Sequence, residues 1–233
     1  MRVFALSDLH LGHSVNKPMD KFGGEWENHA EKIQTNWNSI VHDNDIVLIP
    51  GDISWAMGFN EAEKDILFIK DLKGNKVLLR GNHDYWWSSV SRLNGLYAKS
   101  GMYFLQNDCF MLPDGKTAIC GARLWKKDST EAEDIKIFRR EVIRAKLSLD
   151  TAMRKKCEKI IFMSHYPPLL FGETDSDICE LFKNYPIIKA VYGHLHGADN
   201  FKTGFQGIIE KIEYKLVSAD YINFTPQLIY EEE

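Results

Sequence analysis

Five short apolar runs along the chain each end abruptly in polar residues. The runs cover residues 3–6, 46–49, 77–79, 160–163 and 190–192. Continuous apolar runs of this length are typical of strands that are buried in a sheet. The pattern therefore predicts five buried β-strands, each with chemistry-bearing residues at its carboxyl end.

Segments with apolar residues at helical spacing lie between and after these runs. The predicted helices cover residues 26–42, 61–72, 90–99 and 131–156. In the first of them Ile33, Trp37 and Ile40 fall on one face, as in an amphipathic helix. The second is expected to stop before Gly74, because glycine is the common residue after a helix C-terminus.

Shorter apolar runs fill the middle and the tail of the chain. They cover residues 102–106, 109–112, 117–121, 208–212, 214–219 and 227–230. The Pro-Asp-Gly-Lys sequence at 113–116 is a turn signal, so a hairpin or meander is expected there. Strands alternating with helices, followed by hairpins, predict an α/β fold of two packed sheets with helices outside, as a single domain over residues 1–233.

Composition and charge narrow the classes of partner. The 233 residues are 44% hydrophobic and carry a net charge of −4, and the pI is near 6.1. No overall positive field favours nucleic acid, although a local basic patch on the helix at 131–156 stays open. No stretch approaches the roughly 20 apolar residues of a membrane span. The first strand leaves no room for a signal peptide, so we expect a cytoplasmic protein without membrane association.

The cysteines are widely spaced and form no Cys-x-x-Cys pair. They are Cys109, Cys120, Cys157 and Cys179. Reduced and mostly buried thiols are expected. Cys109 and Cys120 could face each other across the predicted hairpin, so a disulfide between them stays an alternative.

Metal-binding residue types follow all five buried strands. The candidate ligands are Asp8, His10, Asp52, Asn82, His165, His194 and His196. Each alone could be an ordinary turn or surface residue, but ligands in α/β sheets gather beyond the carboxyl ends of strands, so together they predict one site. Seven donors suit two ions better than one tetrahedral ion. Mixed oxygen and imidazole donors favour Mn, Fe, Zn, Co or Ni over Ca or Mg alone.

The spacing within the motifs suggests how the ions are shared. Side chains two residues apart in an extended segment point the same way, so Asp8 and His10 are expected to bind one ion together. By the same argument His194 and His196 are close enough to serve neighbouring ions. Asp52 stands alone after a glycine, and a lone carboxylate can bridge two ions.

These motifs resemble, in order, the five motifs of calcineurin-like metallophosphoesterases. They are Ser-Asp-Leu-His at 7–10, Gly-Asp at 51–52, Gly-Asn-His-Asp at 81–84, Ser-His at 164–165 and Gly-His-Leu-His at 193–196. The resemblance implies a four-layer α/β sandwich, with two mixed sheets between helices, and a two-metal phosphoester hydrolase. It also implies two ligand sets: Asp8, His10, Asp52 and His196 for one ion, and Asp52, Asn82, His165 and His194 for the other. Trp55 stands where purple acid phosphatases have a tyrosine, so a purple Fe(III) centre is not expected.

The resulting expectation is an enzyme that hydrolyses a phosphomonoester or phosphodiester with two divalent ions, manganese being the favoured metal. A hydroxide that bridges the ions would attack phosphorus in line. His83 is the expected general acid or charge stabiliser at the leaving group. Asp84 is expected to hold the His83 ring and its tautomer.

Several readings of the surroundings stay open. Aromatic residues near the motifs either pack in the core or stack on a nucleotide-like substrate; they are Trp55, Tyr85, Trp86, Trp87, Tyr166 and Phe171. Residues 14–24 form either a lid over the metals or a simple connector. The alternatives to a phosphatase are a catalytically weak interaction scaffold of the same fold and a nuclease. The acidic pI argues modestly against nucleic acid without excluding it, and the sequence makes no prediction about protein partners.

Overall fold

The computed structural model describes residues 1–127, 129–173 and 176–232. In this part of the chain the strands are β1 (Arg2–Ala5), β2 (Ile46–Ile49), β3 (Asn75–Leu78), β4 (Met102–Phe104), β5 (Cys109–Met111), β6 (Thr117–Ala122), β7 (Lys159–Ser164), β8 (Ile187–Tyr192), β9 (Gly207–Ile209), β10 (Ile212–Leu216) and β11 (Gln227–Glu231). The α-helices are α1 (His29–Ile40), α2 (Phe59–Asp71), α3 (Val90–Tyr97), α4 (Ala132–Arg154) and α5 (Asp177–Phe182). Short 3₁₀ turns include Met19–Phe22 and Gly24–Trp26.

The strands form two mixed sheets. The first has the order β11-β1-β2-β3-β4, in which β1 to β4 are parallel and β11 is antiparallel. The second has the order β5-β6-β7-β8-β10-β9, with antiparallel strands at both edges. With helices against both sheets, the predicted fold class of two mixed sheets flanked by helices is confirmed.

Strand β7 shows how the layers are built. Its side chains alternate between two hydrophobic clusters, as the two-residue period of a strand requires. Ile161 and Met163 join the cluster that contains the first sheet. Ile160 and Phe162 join the cluster that contains Leu149 of α4. Because both faces are buried, the strand reads as a continuous apolar run rather than an alternating one.

The middle of the chain connects the two sheets. The structure pairs β4 in parallel with β3 in the first sheet, whereas β5 and β6 form an antiparallel hairpin in the second. The expected hairpin is therefore present, but the run at 102–106 does not belong to it. Cys109 lies opposite Cys120 in this hairpin, and all four cysteines are free and buried thiols.

Two boundaries in the tail differ from the prediction. The run at 208–212 was expected to be one strand, but Glu210 and Lys211 have φ of 49° and 70° and form the turn between β9 and β10. Two consecutive left-handed residues are the geometry of a tight hairpin turn. The strand expected at 214–219 consequently begins at Ile212 and ends at Leu216.

The helix boundaries also show the influence of local backbone geometry. The helix expected at 26–42 begins only at His29, because Asn28 has φ 52° and interrupts the helical backbone.

The short helix α5 has no counterpart among the predicted helices. Its N-cap is Ser176, whose hydroxyl accepts a hydrogen bond from the Cys179 amide. Among the described helices none has the length and apolar character needed to cross a membrane.

Candidate metal centre

The loops that follow β1, β2, β3, β7 and β8 meet at one edge of the molecule. The Asp8 amide donates a hydrogen bond of 3.0 Å to the Gly51 carbonyl, which joins the loops after β1 and β2. The Ser7 amide donates one of 2.8 Å to the Val217 carbonyl, which joins the first sheet to the second. The backbone thus fixes loops from both sheets against each other.

Four of the candidate ligands have left-handed backbone conformations. The φ angles are 60° at Asp8, 44° at His10, 50° at Asp52 and 71° at His194. Such angles are uncommon in residues other than glycine and cost on the order of 1–3 kcal/mol each. Strands β1 and β8 end before the ligands. The expected extended geometry is therefore wrong, because reversals of the backbone bring these side chains together.

At two glycines of the motifs, neighbouring atoms leave no room for a Cβ atom. A Cβ atom on Gly193 would overlap Ser7 Oγ and Asp8 Oδ2, and one on Gly81 would overlap Asp52 Oδ1. The glycines let the loops approach each other closely enough for the carboxylates of Asp8 and Asp52 to enter the centre.

The first group of ligand atoms comes from Asp8, His10 and His196. These atoms all lie within 4.8 Å of one another. His10 Nε2 lies 3.2 Å from His196 Nε2, which lies 3.5 Å from Asp8 Oδ1. Asp8 is fully buried. The three side chains could hold one cation between them.

The second group comes from Asp52, His165 and His194, again within 4.8 Å of one another. His165 Nε2 lies 3.2 Å from His194 Nδ1 and 2.8 Å from Asn82 Oδ1. The Asn82 amide oxygen thus adjoins this group as a neutral donor.

The Asp52 carboxylate lies between the two groups. Its Oδ2 atom is 3.4 Å from His165 Nε2 in the second group and 3.9 Å from His10 Nε2 in the first. Its Oδ1 atom accepts a hydrogen bond of 2.8 Å from the His83 amide, which fixes the orientation of the carboxylate. This position suits one carboxylate shared by two cations.

The electrostatics of the acidic residues favour their charged forms. Burial alone would raise the pKa of Asp8, but the hydrogen bond and charge of His196 and the charge of His165 outweigh it and lower that pKa to about 2. Burial likewise opposes ionisation of Asp52, yet the charge and hydrogen bond of His165 hold its pKa well below the ordinary range. Both side chains are therefore carboxylates at neutral pH.

The histidines divide into two kinds. Burial lowers the pKa of His10 and of His194 to about 3, so both are neutral. At His196, hydrogen bonds to Asp220 and Asp8 outweigh burial and raise the pKa to about 10. Despite burial, the charge and hydrogen bond of Asp52 raise the pKa of His165. Because metals bind neutral imidazole, bound cations would take the place of the protons on His165 and His196.

The donors fit divalent cations. His10 Nε2 and His196 Nε2 face each other at a distance of 3.2 Å. At this distance only one of the two nitrogens can carry a proton, and the other must present its lone pair. The buried Nδ1 atom of His10 has no hydrogen-bond partner among the described residues. Carboxylate and imidazole donors without thiolates match Mn, Fe, Zn, Co or Ni.

Asp220 is part of this site and was missed by the sequence reasoning. Its Oδ1 atom accepts a hydrogen bond of 3.0 Å from His196 Nδ1, and its Oδ2 atom accepts one of 3.1 Å from the Gly197 amide. Asp220 follows the predicted strand at 214–219, so it shares the signal of a polar residue directly after an apolar run. It was overlooked because it lies outside the five motifs.

Comparison with known proteins decides the family. A sequence model described as calcineurin-like phosphoesterase matches residues 1–198. The match covers most of the chain and includes all seven candidate ligands. The chain belongs to the calcineurin-like phosphoesterase family. Proteins of this family are generally metal-dependent phosphoesterases.

Two curated relatives match shorter segments. The uncharacterized protein MJ1445 of Methanocaldococcus jannaschii is 32% identical over 88 residues, which cover 36% of this chain and 47% of that protein. The gene 66 protein of Mycobacterium phage L5 is 37% identical over 79 residues, which cover 34% of this chain and 37% of that protein. The chain thus spans less than half the length of these curated relatives.

One solved structure aligns over nearly the whole chain. It is the crystal structure of AQ665, a protein of unknown function from Aquifex aeolicus. The alignment covers 97% of this chain and 95% of that chain, with a TM-score of 0.46 and 15% sequence identity.

His83 lines the same pocket as the ligand candidates His10, Asp52, His194 and His196. It is half-buried, and its ring centroid is 6.0 Å from that of His10 and 4.6 Å from that of Trp55. Burial lowers the pKa of His83, with the charge of Asp52 opposing that shift. The ring is therefore neutral at neutral pH and carries one N–H group that can donate to a substrate.

Asp84 does not hold the His83 ring, contrary to expectation. Its Oδ1 atom accepts hydrogen bonds from the Ile53 amide, the Ser54 amide and Trp86 Nε1, at 2.9, 3.2 and 2.9 Å. Its Oδ2 atom accepts one of 2.7 Å from the Gly81 amide. Asp84 is fully buried. The carboxylate thus joins the loops after β2 and β3, and its effect on the centre runs through the backbone.

A pocket of about 220 Å³ opens above the ligand atoms. Its apolar wall consists of Met19, Phe22, Trp26 and Trp55. Met19 and Phe22 belong to residues 14–24, so the segment expected to be either a lid or a connector lines part of the pocket. Trp55 stacks on the His10 ring at 4.7 Å between centroids.

The other aromatic candidates lie elsewhere. Trp86 and Trp87 are buried in the core, and Tyr166 is buried against the His194 ring at 3.9 Å between centroids. Tyr85 and Phe171 are exposed and are not part of the pocket wall. Packing therefore explains three of the six candidates, and substrate contact remains for Trp55.

Proposed function

We propose that this protein hydrolyses phosphate esters with two divalent metal ions, manganese being the favoured metal. The observation that carries the proposal is the position of the Asp52 carboxylate between two groups of buried ligand atoms. Sites with two adjacent cations are common to phosphatases and nucleases because two charges offset the negative charge of the phosphoryl group.

The proposed ligand sets follow the two groups. Asp8, His10 and His196 would hold one ion, and His165, His194 and Asn82 would hold the other, with Asp52 shared between them. When bound, the ions supply positive charge that draws in the phosphoryl oxygens and lowers the pKa of an attacking water. The reaction that we propose is in-line attack by the resulting hydroxide, without a covalent phosphoenzyme.

His83 is proposed to act at the leaving oxygen. Because its pKa is lowered, its N–H group serves as a hydrogen-bond donor that stabilises developing charge, rather than as a fully protonated acid. Hydrogen-bond donors aimed at developing charge contribute strongly in sites from which water is excluded.

The pocket wall favours a substrate with an apolar or aromatic group attached to the phosphate. Trp55 and Trp26 offer ring surfaces to a nucleobase or an aryl group. We therefore propose a nucleotide-like phosphoester.

The test is turnover by the manganese-loaded protein on a panel of esters. Initial rates are measured on p-nitrophenyl phosphate, bis-p-nitrophenyl phosphate, cyclic nucleotides, dinucleotides and short oligonucleotides, with bound metal counted by mass spectrometry. We expect two ions per chain and hydrolysis of at least one class, with one oxygen-18 atom in the product after a single turnover in labelled water. Two bound ions without turnover of any ester would instead favour the scaffold.

A further inference from the structure

A second cavity, of about 410 Å³, lies apart from the metal centre. Its walls come from the ends of β3, β4 and β6 and from one face of α4. Four arginines line it: Arg80, Arg123, Arg140 and Arg144. None of the seven metal-ligand candidates lines it. The volume lies in the range of small-molecule sites, roughly 300–1,000 Å³.

The cavity carries more positive than negative charge. Glu141 is the one acidic residue in the described wall, and it is 1% exposed. Its Oε1 atom accepts a hydrogen bond of 2.7 Å from Arg144 Nη1. The same oxygen lies 3.6 Å from Arg123 Nη2 and 4.0 Å from Arg140 Nε. One carboxylate thus faces three guanidinium groups and can offset the charge of one.

Arg123 has an unsatisfied hydrogen-bond donor in this arrangement of described residues. Its side chain is 15% exposed, and its buried Nε atom has no hydrogen-bond partner among the described residues. A buried N–H group without an acceptor is costly in a folded protein and needs an explanation. Burial lowers the pKa of Arg123, and the charges of Arg80 and Arg144 lower it further against the opposing charge of Glu141.

Contacts within the protein hold Arg123 in place. The Arg123 carbonyl accepts hydrogen bonds from the amides of His165 and Tyr166, at 3.2 and 2.9 Å. Its guanidinium group stacks over the Trp125 ring, 4.4 Å from the centroid. A planar guanidinium held in one orientation is suited to a phosphate-type anion, which it can bind through two parallel hydrogen bonds.

We propose that this cavity binds a phosphate-type oxyanion through Arg123 and Arg140, without requiring a bound metal. Trp125 and Ile137 form an apolar part of its wall, against which a group attached to the anion would pack. The anion is either a separate small molecule or a second phosphate of the substrate. Both have the same chemistry at this cavity.

The test is isothermal titration calorimetry of inorganic pyrophosphate into the full chain, with chelator present so that the metal centre cannot compete. Because each variant removes a charged hydrogen-bond donor, Arg123→Gln and Arg140→Gln should each weaken binding about tenfold or more. The matched control is Arg139→Gln, an exposed neighbour on α4 that does not line the cavity. It should leave the Kd within about twofold, since the charge of an exposed side chain outside the cavity is screened by water and salt.

Protein folding and the source of the anion are tested separately. Arg140 is 53% exposed, so its variant should retain the wild-type circular dichroism spectrum and Tm even if the Arg123 variant does not. Equal pyrophosphate affinity in wild type, Arg140→Gln and Arg139→Gln would overturn the proposal, as would no binding to the wild type. The KM values of Arg140→Gln are then measured on the manganese-loaded protein. If KM rises only for substrates that carry a second phosphate, the anion in the cavity is that second phosphate. An unchanged KM with weakened pyrophosphate binding identifies a separate ligand.

Discussion

His196 Nδ1 donates a hydrogen bond of 3.0 Å to the Asp220 carboxylate. A carboxylate at this position fixes the tautomer and the ring orientation of the imidazole, and it directs Nε2 toward Asp8 and His10. Partners of this kind orient metal-binding histidines and make them better ligands. Asp220 is therefore a positioning residue for the first group of ligand atoms.

Replacing Asp220 by asparagine should weaken metal binding without removing a ligand. The expected loss is roughly 10- to 100-fold in the affinity of one ion, because the asparagine amide is a weaker and less directional partner for His196. Affinity is measured by titrating manganese into chelator-treated protein. The matched control is Asp199→Asn, which removes the same charge from an exposed position in the nearby loop. Equal affinity in the two variants would show that Asp220 has only a structural role.

His83→Ala should separate turnover from metal binding. Removing a donor at the leaving oxygen should lower kcat by roughly 10²- to 10⁴-fold, while both ions stay bound because His83 belongs to neither group of ligand atoms. Metal content and steady-state kinetics are measured on the same preparation. Loss of one ion along with the activity would move His83 into the ligand set. Tyr85→Phe, an exposed neighbour, serves as the control.

Phe22→Ala should raise KM for esters with an aromatic leaving group and leave it unchanged for esters without one. Phe22 is 68% exposed and lines the pocket, so its removal should not unfold the protein. We expect a several-fold higher KM for aryl or nucleotide esters, since a buried aromatic contact contributes about 1 kcal/mol, and little change for methyl phosphate esters. Phe171→Ala, which removes an exposed phenylalanine outside the pocket wall, is the matched control. A uniform KM change across all esters would argue against recognition of an aromatic group.

Gly193→Ala should disrupt the centre, whereas Gly95→Ala should not. A methyl group at Gly193 would overlap Ser7 Oγ and Asp8 Oδ2, so Asp8 must move and metal affinity should fall. At Gly95, within α3, nothing lies within 4 Å of the added carbon. That variant should gain about 0.5–1 kcal/mol of unfolding free energy from helix propensity. Manganese titration and chemical denaturation measure the two effects, and wild-type affinity in Gly193→Ala would contradict the packing of these loops.

The Asp45 carboxylate should make the stability of the wild type depend on pH, and Asp45→Asn should remove that dependence. Asp45 accepts a hydrogen bond of 2.6 Å from Arg2 Nη2 and one of 2.9 Å from the His42 amide. Burial opposes ionisation of Asp45, but these bonds outweigh it and lower its pKa below the ordinary 3.8. The carboxylate therefore stabilises the fold above that ordinary value, and the contribution is lost as the pH falls through the lowered pKa.

The measurement is urea denaturation of wild type and variant from pH 7 down to pH 3. Hydrogen bonds to a charged group contribute about 1.5–3 kcal/mol, so Asp45→Asn should lower the unfolding free energy by a comparable amount at pH 7. The gap should narrow below about pH 4 as the wild-type carboxyl takes up a proton. The exposed Asp43→Asn is the control and should change stability by less than about 0.5 kcal/mol. A gap that stays constant across this range would contradict the ionic contribution.

The convergence of the ligands was predictable because the carboxyl ends of parallel strands share one edge of a sheet. That rule brought together residues as distant in sequence as Asp8 and His196. The path of the backbone between β1 and Asp8 was not predictable in this way. Its left-handed conformations at Asp8 and His10 depend on hydrogen bonds to the carbonyls of Gly51 and Asp52, which only the folded chain provides.

Three features were not predicted from the sequence, and each omission has a local physical reason. Helix α5 has six residues, which is fewer than two turns. The segment is therefore too short to show the helical repeat of apolar residues in its sequence. Asp220 lies outside the recurring motifs, although it follows an apolar run as the other ligands do. Asp84 was assigned to His83 because of sequence proximity, whereas its carboxylate turns toward the backbone of Ile53 and Ser54 on another loop.

The most direct test of the central claim is a crystal structure of the manganese-loaded protein with anomalous differences recorded. We predict two peaks about 3.5–4 Å apart, one bounded by Asp8, His10 and His196 and the other by Asn82, His165 and His194. The Asp52 carboxylate should contact both. A single peak, or peaks outside these side chains, would contradict the account.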